Sequence, residues 1–234
     1  MNSTVYGGEN RGTGASSNNR VAISGGHLGF NIYGGYSNGG AATGNIVELS
    51  GAPNLSASTI YGGRSVGLAD FFTGNTLTAV GVRGPVVGIH NFERYNFFLP
   101  ADLGNGQTMF SVTGGASTNM TGTTVNLLGI GGGGEVLNPG DDVVLIGKAT
   151  GIPAVVNASN VPKGAALLYD FDVSTTGGVL RAAVRSKRAN PDAEILPAGP
   201  AASAAFLGQS SELITRLPTP EEKRAGITAY AVTS

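Results

Sequence analysis

Val5-Tyr6-Gly7-Gly8, Ile32-Tyr33-Gly34-Gly35 and Ile60-Tyr61-Gly62-Gly63 carry one four-residue signature, and their tyrosines stand 27 and 28 residues apart. A second motif runs in phase with it. Asn19 precedes Val21, Ile23 and Gly25; Asn45 precedes Val47, Leu49 and Gly51; a looser copy follows at Asn75, Leu77, Ala79 and Gly81. Two motifs sharing one period mark a repeat architecture, in which a unit buries its apolar face only against its neighbours. Within a copy, apolar and polar residues alternate, as at Val21 and Ile23 or Val47 and Leu49, which is the two-residue period of a half-buried strand. Glycines and small polar residues between the strands, as in Ser37-Asn38-Gly39-Gly40, suit sharp corners. Corners at fixed intervals coil the chain. The implied fold class is all-β: a right-handed, single-stranded parallel β-helix, or solenoid, whose equivalent residues stack about 4.8 Å apart. On this reading Tyr6, Tyr33 and Tyr61 form an aromatic ladder, placed by preference in the core, and Asn19, Asn45 and Asn75 form a hydrogen-bonded one. The spacing leaves open whether one repeat holds one coil or two.

The repeat fades after Gly81, and the aromatic-rich stretch from Phe92 to Pro100 suits an end cap or a change of coil shape. This divides the chain into Gly-rich repeats over 1–86, terminal coils with a cap over 87–188, and a linker over 189–234. The middle part stays β in pattern, with runs at 109–112, 125–127, 143–146, 167–171 and 180–184 separated by Asn138-Pro139-Gly140-Asp141 and Thr176-Gly177-Gly178. Composition then changes: 12 of the last 54 residues are charged, against 6 of the first 80. Ala198 to Ile214 reads as a short helical linker, about 200–215, with Pro200 in its first turn.

The balance of 14 basic and 15 acidic residues supplies no field for nucleic acid, and no Lys/Arg run is long enough to grip phosphates. With no cysteine, disulfides, thiolate metal sites and cysteine nucleophiles are excluded together. No apolar stretch approaches the ~18 residues of a membrane helix, and Met1 to Asn10 lacks the apolar core of a signal peptide.

From Ile89 to Pro100 the sequence, Ile-His-Asn-Phe-Glu-Arg-Tyr-Asn-Phe-Phe-Leu-Pro, resembles the region that ends the repeats in bacterial autotransporter passengers. Gly106 to Gly114 and Gly140 to Ile146 resemble that family's C-terminal stability segment, and Leu167 to Val173 its last extended strand. Asn190-Pro191 followed by Ala198 to Leu213 is similar to the linker that passes as a helix through the translocator pore. The resemblance implies a pertactin-like, autochaperone-like cap that includes Phe92, Tyr95, Phe97, Phe98, Leu99 and Pro100. It also implies type V secretion, a translocator β-barrel as partner, and a cell-surface position on the outer membrane of a Gram-negative bacterium. The barrel is absent from these 234 residues, with only a possible first strand at Gly226 to Val232. The expectation is therefore a segment of a longer protein or of a split reading frame.

Chemistry-bearing groups are sparse. Gly129, Gly131 and Gly134 match a dinucleotide-loop spacing, but Asn138-Pro139-Gly140 follows where a helix would have to begin, so a glycine turn is the reading. The repeats hold only Glu9, Glu48 and Asp70 as carboxylates, too scattered for the paired acids of β-helix lyases and hydrolases. Asp141 with Asp142, and Asp170 with Asp172, read as strand-edge turns rather than calcium ligands. His27 and His90 have no triad or metal spacing. Arg181, Arg185, Lys187 and Arg188 form a small basic patch, read as solvated linker. The expectation is a non-enzymatic monomer with no catalytic, cofactor or metal residues, serving as a structural or adhesin-type passenger segment linked to virulence. Two rivals stand beside it: a carbohydrate-active β-helix enzyme using Glu48 or Asp70, and a module binding a host glycan or surface protein through its Tyr-Gly-Gly loops.

Overall fold

Each repeat becomes one turn of a coil. In the computed structural model, which describes residues 4–67 and 69–194, the chain is all-β and winds into a β-solenoid of about five turns with mostly parallel strands. The first coil contributes β1 (Val5–Asn10) and β2 (Arg20–Ile23); the second, β3 (Ile32–Ser37) and β4 (Ile46–Leu49); the third, β5 (Thr59–Ser65), β6 (Thr76–Val80) and β7 (Gly84–Val86). Then follow β8 (Gly88–His90), β9 (Arg94–Leu99) and β10 (Thr108–Val112), and β11 (Thr118–Asn119), β12 (Thr124–Ile130) and β13 (Asp142–Ile146). Short strands β14 (Ala149–Thr150), β15 (Val155–Asn157) and β16 (Val161–Lys163) lead into a long hairpin, β17 (Leu167–Thr176) and β18 (Val179–Ala189).

Three faces result. The first stacks β1-β3-β5-β8, the second β2-β4-β6-β9-β12, and the third β7-β10-β13. Tyr6 pairs with Tyr33 and Tyr33 with Tyr61, so one repeat is one coil. The interior of the second face is two continuous columns: Val21, Val47, Leu77, Tyr95 and Val125, and beside it Ile23, Leu49, Ala79, Phe97 and Leu127. From Val47 through Val125 the first column is fully buried. Each such side chain contributes roughly 1.5–3 kcal/mol by burial, which no isolated repeat can collect. Volume is balanced along the column, the small Ala79 being followed by Phe97.

Close stacking explains the Tyr-Gly-Gly signature. A Cβ on Gly34 would lie 2.4 Å from Gly62 O, and one on Gly35 would lie 2.3 Å from Ser16 O and 2.6 Å from Asn45 Nδ2. These glycines are required by space: a neighbouring backbone and the asparagine column occupy the room a side chain would need.

The boundary read near Val87 marks a change of coil length within a continuous stack. Across it, Ile60 still pairs with Ile89 and Tyr61 with His90. On the second face, paired residues are 26 and then 30 apart, but Thr78 and Asn96 are only 18 apart. The fourth coil replaces the long corner loop of its predecessors with Asn91-Phe92-Glu93. Phe92 is fully buried, and Asn91 takes the left-handed conformation, φ 63°. Phe92 to Pro100 thus lies inside the stack, and the closure comes later.

That closure is antiparallel, a feature absent from the repeat pattern. The hairpin turns at Gly177 and Gly178, both with positive φ, as a two-residue turn matching strand twist requires. β17 pairs with β16, which hangs on β12, while β18 pairs with β13. The hairpin therefore ties the second face to the third at one end of the coil. The described coils and hairpin up to Ala189 belong to one compact unit, and beyond it Pro191–Glu194 is a short 3-10 turn. The expected helix at about 200–215 and the strand at Gly226 to Val232 lie outside the described residues.

Gly35→Ala is expected to lower unfolding free energy by about 3 kcal/mol, whereas Gly25→Ala, whose added methyl meets nothing within 4 Å, should change it by less than about 0.5 kcal/mol. Urea denaturation checks this. Equal effects at the two glycines would remove the close-approach account.

Candidate functional site

Tyr6, Tyr33 and Tyr61 do stack, with ring centroids 5.3 and 5.0 Å apart and planes within 18°. They stand on the outer side of the first face, not in the core as the sequence reading preferred. Strand alternation fixes this: Ile32, Ile60 and Ile89 point inward and are fully buried, so the residue after each points outward. Tyr6 is 40% exposed, whereas Tyr33 is 6% exposed because Tyr6, Tyr61 and Tyr36 cover it, the last edge-on at 5.3 Å. Asn31 Nδ2 donates to Tyr33 Oη at 3.0 Å. Burial raises the Tyr33 phenol above its ordinary pKa. His90 ends the column 5.4 Å from Tyr61, its pKa lowered by burial. Since the rings cover one another, the free aromatic face belongs to Tyr6.

Asn19, Asn45 and Asn75 form the inner ladder at the corner between the first and second faces. Asn45 Oδ1 accepts from Asn19 N at 3.0 Å and Asn19 Nδ2 at 2.9 Å, and Asn75 Oδ1 accepts from Asn45 N and Nδ2 at 2.9 and 3.1 Å. Asn75 Nδ2 ends the series on the carbonyls of Phe71, Ala42 and Asn91. Asn45 and Asn75 are fully buried, so every amide group saved from orphanhood here avoids a penalty of roughly 1–3 kcal/mol.

A second amide ladder, not singled out in the sequence, runs outside the second face. Asn96 Nδ2 reaches Thr78 Oγ1 at 3.2 Å, Asn126 Nδ2 donates to Asn96 Oδ1 at 2.7 Å, and Asn157 Nδ2 to Asn126 Oδ1 at 2.7 Å. An apolar residue followed by Asn, at Tyr95-Asn96, Val125-Asn126 and Val156-Asn157, was the available signal.

Of the cap residues, Phe92, Tyr95, Phe97, Leu99 and Pro100 are buried, while Phe98 faces outward over Gly129, where a Cβ would come within 2.6 Å of its ring. Tyr95 packs edge-on to Phe92 at 5.8 Å, and its hydroxyl is buried without a hydrogen-bond partner. Complete burial raises its phenol well above the ordinary range.

The charged residues singled out in the sequence take partners within the fold. Glu9 lies on β1 and pairs with Arg11, and Glu48 pairs with Arg20 across coils. Asp70 caps its own loop by accepting from Phe72 N and Thr73 N, and hydrogen bonds within that loop lower its pKa. The basic patch lies on β18 rather than in a linker: Arg181 pairs with Asp142, Arg185 with Asp172 and Arg188 with Asp170, while Lys187 Nζ donates to Asn138 Oδ1. Asp170 is held below the usual carboxylate range first by Asn160 N and then by the Ser186 hydroxyl. Asp141 Oδ2 accepts from Asn138 N at 2.7 Å. The 131–134 glycine loop leads to β13 rather than to a helix, and buried Lys163 donates to Gly131 O at 3.1 Å. His27 is exposed and bridges to Asn54 on the third side of the coil. Among the described residues no group of three or more His, Cys, Asp or Glu could hold a metal ion. No family model, curated protein or solved structure matches the chain.

Tyr95→Phe removes an unpaired buried hydroxyl and is expected to stabilise the fold by about 1 kcal/mol. Because the native phenols of Tyr33 and Tyr95 are raised, unfolded chains ionise first, and stability falls as pH rises past about 10. The variant should lose less stability over that interval. Urea titrations at pH 8 and at increasing alkaline pH read both effects, and an unchanged alkaline slope would show that Tyr95 does not carry it.

Proposed function

We propose that this chain is a non-catalytic structural segment of an autotransporter passenger, the C-terminal part of an extended surface scaffold, in which residues 92–184 seed the folding of the coils. Supporting this reading is the resemblance at Ile89 to Pro100 together with one geometric observation: the hairpin β17–β18 joins two faces at a single end. A coil bound on one side only gains its hydrogen bonds and apolar contacts when a neighbour already exists. The end whose strands are crosslinked by the hairpin offers the first complete template, and each earlier coil then adds to a formed layer. For a passenger crossing an outer membrane without ATP, such directional stacking works as a ratchet. The carboxylates of the repeats support a scaffold over a lyase or hydrolase, since Glu48 and Asp70 are committed to Arg20 and to backbone amides.

The kinetic expectation is asymmetric. Phe97→Leu and Val143→Ala, in the seeding segment, should slow refolding with little change in unfolding rate, while Val47→Ala, in the second coil, should mainly speed unfolding. Stopped-flow chevrons on purified chain decide between this order and the opposite one. Slower refolding from Val47→Ala with Phe97→Leu acting only on unfolding would place the nucleus in the repeats and end the seeding proposal.

A further inference from the structure

The shortened fourth coil leaves a notch in the loop-bearing corner of the rod. In the first three coils, loops 11–19, 38–45 and 69–75 stack on one another. Ser16 N donates to Ala41 O and Asn18 N to Thr43 O, and Ala42 N donates to Asp70 O and Gly44 N to Thr73 O. The fourth coil has only Asn91-Phe92-Glu93 there, and the next corner is residues 120–123. One loop is missing from the stack, which opens a slot about one strand spacing high, ~4.8 Å. Two adjoining grooves of about 280 and 300 Å³ occupy it. Arg64, Ser65 and Val66 line the first, Asn119 and Thr121 the second, and Phe71 and Asn91 both.

The groups lining this slot are unusually uncommitted. Arg64 lies over the Tyr61 ring at 5.9 Å and, among the described residues, has no hydrogen-bond or carboxylate partner. The other arginines of the first 90 residues, Arg11, Arg20 and Arg83, each have a carboxylate. Ser65 Oγ is buried and unpaired. The repeat supplies its own control: at the equivalent position one coil earlier, Ser37 Oγ donates to Gly14 O at 2.7 Å and accepts from Gly40 N at 2.8 Å. Asn91 uses Nδ2 on Gly63 O at 2.9 Å and leaves Oδ1 free, and Asn119 uses Oδ1 on Thr121 N at 3.0 Å and leaves Nδ2 free. Glu93, the nearest acid of the short corner, is turned to Gly74 N, and Asp70 is closed on its own loop.

We infer that this slot binds a carboxylate-bearing sugar of an acidic glycan. Its height admits one ring. The half-buried Phe71 offers an apolar plate to the C–H face of a pyranose, while a free acceptor on Asn91 and a free donor on Asn119 suit hydroxyls, which both give and accept. The unpaired guanidinium selects a carboxylate, which it can hold through two parallel N–H bonds. This inference is independent of the secretion reading: a scaffold of any origin would carry the same notch.

Isothermal titration of the intact chain with tetragalacturonate, and with its fully methyl-esterified form, tests it. The acid is expected to bind and the ester to bind at least roughly tenfold more weakly, the loss expected for a charge-assisted pair. Arg64→Gln should weaken the acid by a similar factor, Arg64→Lys by less, and Phe71→Ala should weaken acid and ester alike. Arg20→Gln, on another face, should change nothing. Circular dichroism melts confirm that each variant is folded. No heat with the acid, equal binding of acid and ester, unchanged binding by Arg64→Gln, or equal binding of a polyglutamate peptide would each overturn the assignment; the last would make the slot a general anion patch.

Discussion

Everything in this rod depends on coils approaching to one strand spacing at the corner where Asn45 sits. There the fully buried amide of Asn45 accepts from the coil before and donates to the coil after. Backbone groups at a turning corner cannot all face a strand partner, and burial forbids water from serving them. An asparagine side chain supplies the missing donors and acceptors at the right height, on condition that the opposite strand leaves room. The paired glycines grant that room, so Tyr-Gly-Gly and Asn-x-Val-x-Ile are two halves of one steric and hydrogen-bonding constraint.

Much of this was legible in the chain because a solenoid writes its geometry as a period. The Tyr and Asn motifs gave strands, corners and register for the first three coils, and the pairings Tyr33 to Tyr61 and Val47 to Leu77 follow them residue by residue. The direction of the tyrosines was not legible. Ile32 and Tyr33 are both large and largely apolar, so alternation says they face opposite ways without saying which is inside. The fourth coil escaped for another reason: a loop deletion breaks the period locally while preserving the stack, and only the pairing of Tyr61 with His90 shows that the column continues. The antiparallel closure was hidden because Leu167–Thr176 and Val179–Ala189 alternate like any other strands, and their direction is set by Gly177-Gly178 alone.

The charged residues show the same division of labour. Arg181, Arg185 and Arg188 look in sequence like a basic patch, and Asp142, Asp170 and Asp172 like parts of strand-edge turns. Folded, each neutralises the other across the hairpin. These pairs are partly or largely exposed and contribute little individually, so the cap is held chiefly by Tyr169, Phe171, Leu180, Ala182 and Val184, all buried. Linear distance concealed the pairing, since Asp142 and Arg181 are 39 residues apart.

The hairpin also gives the rod two unlike ends. Where the hairpin packs, β13 and β16 each carry one of its strands, whereas β1 and β2 have a partner strand on a single side and β8 ends the first face unpaired on its far side. Exposed strand edges invite further chains to join, and a particle with two such edges polymerises into filaments. A face whose last parallel strand already carries a hairpin strand offers no edge there to a further coil, so the hairpin guards the second and third faces against end-to-end joining.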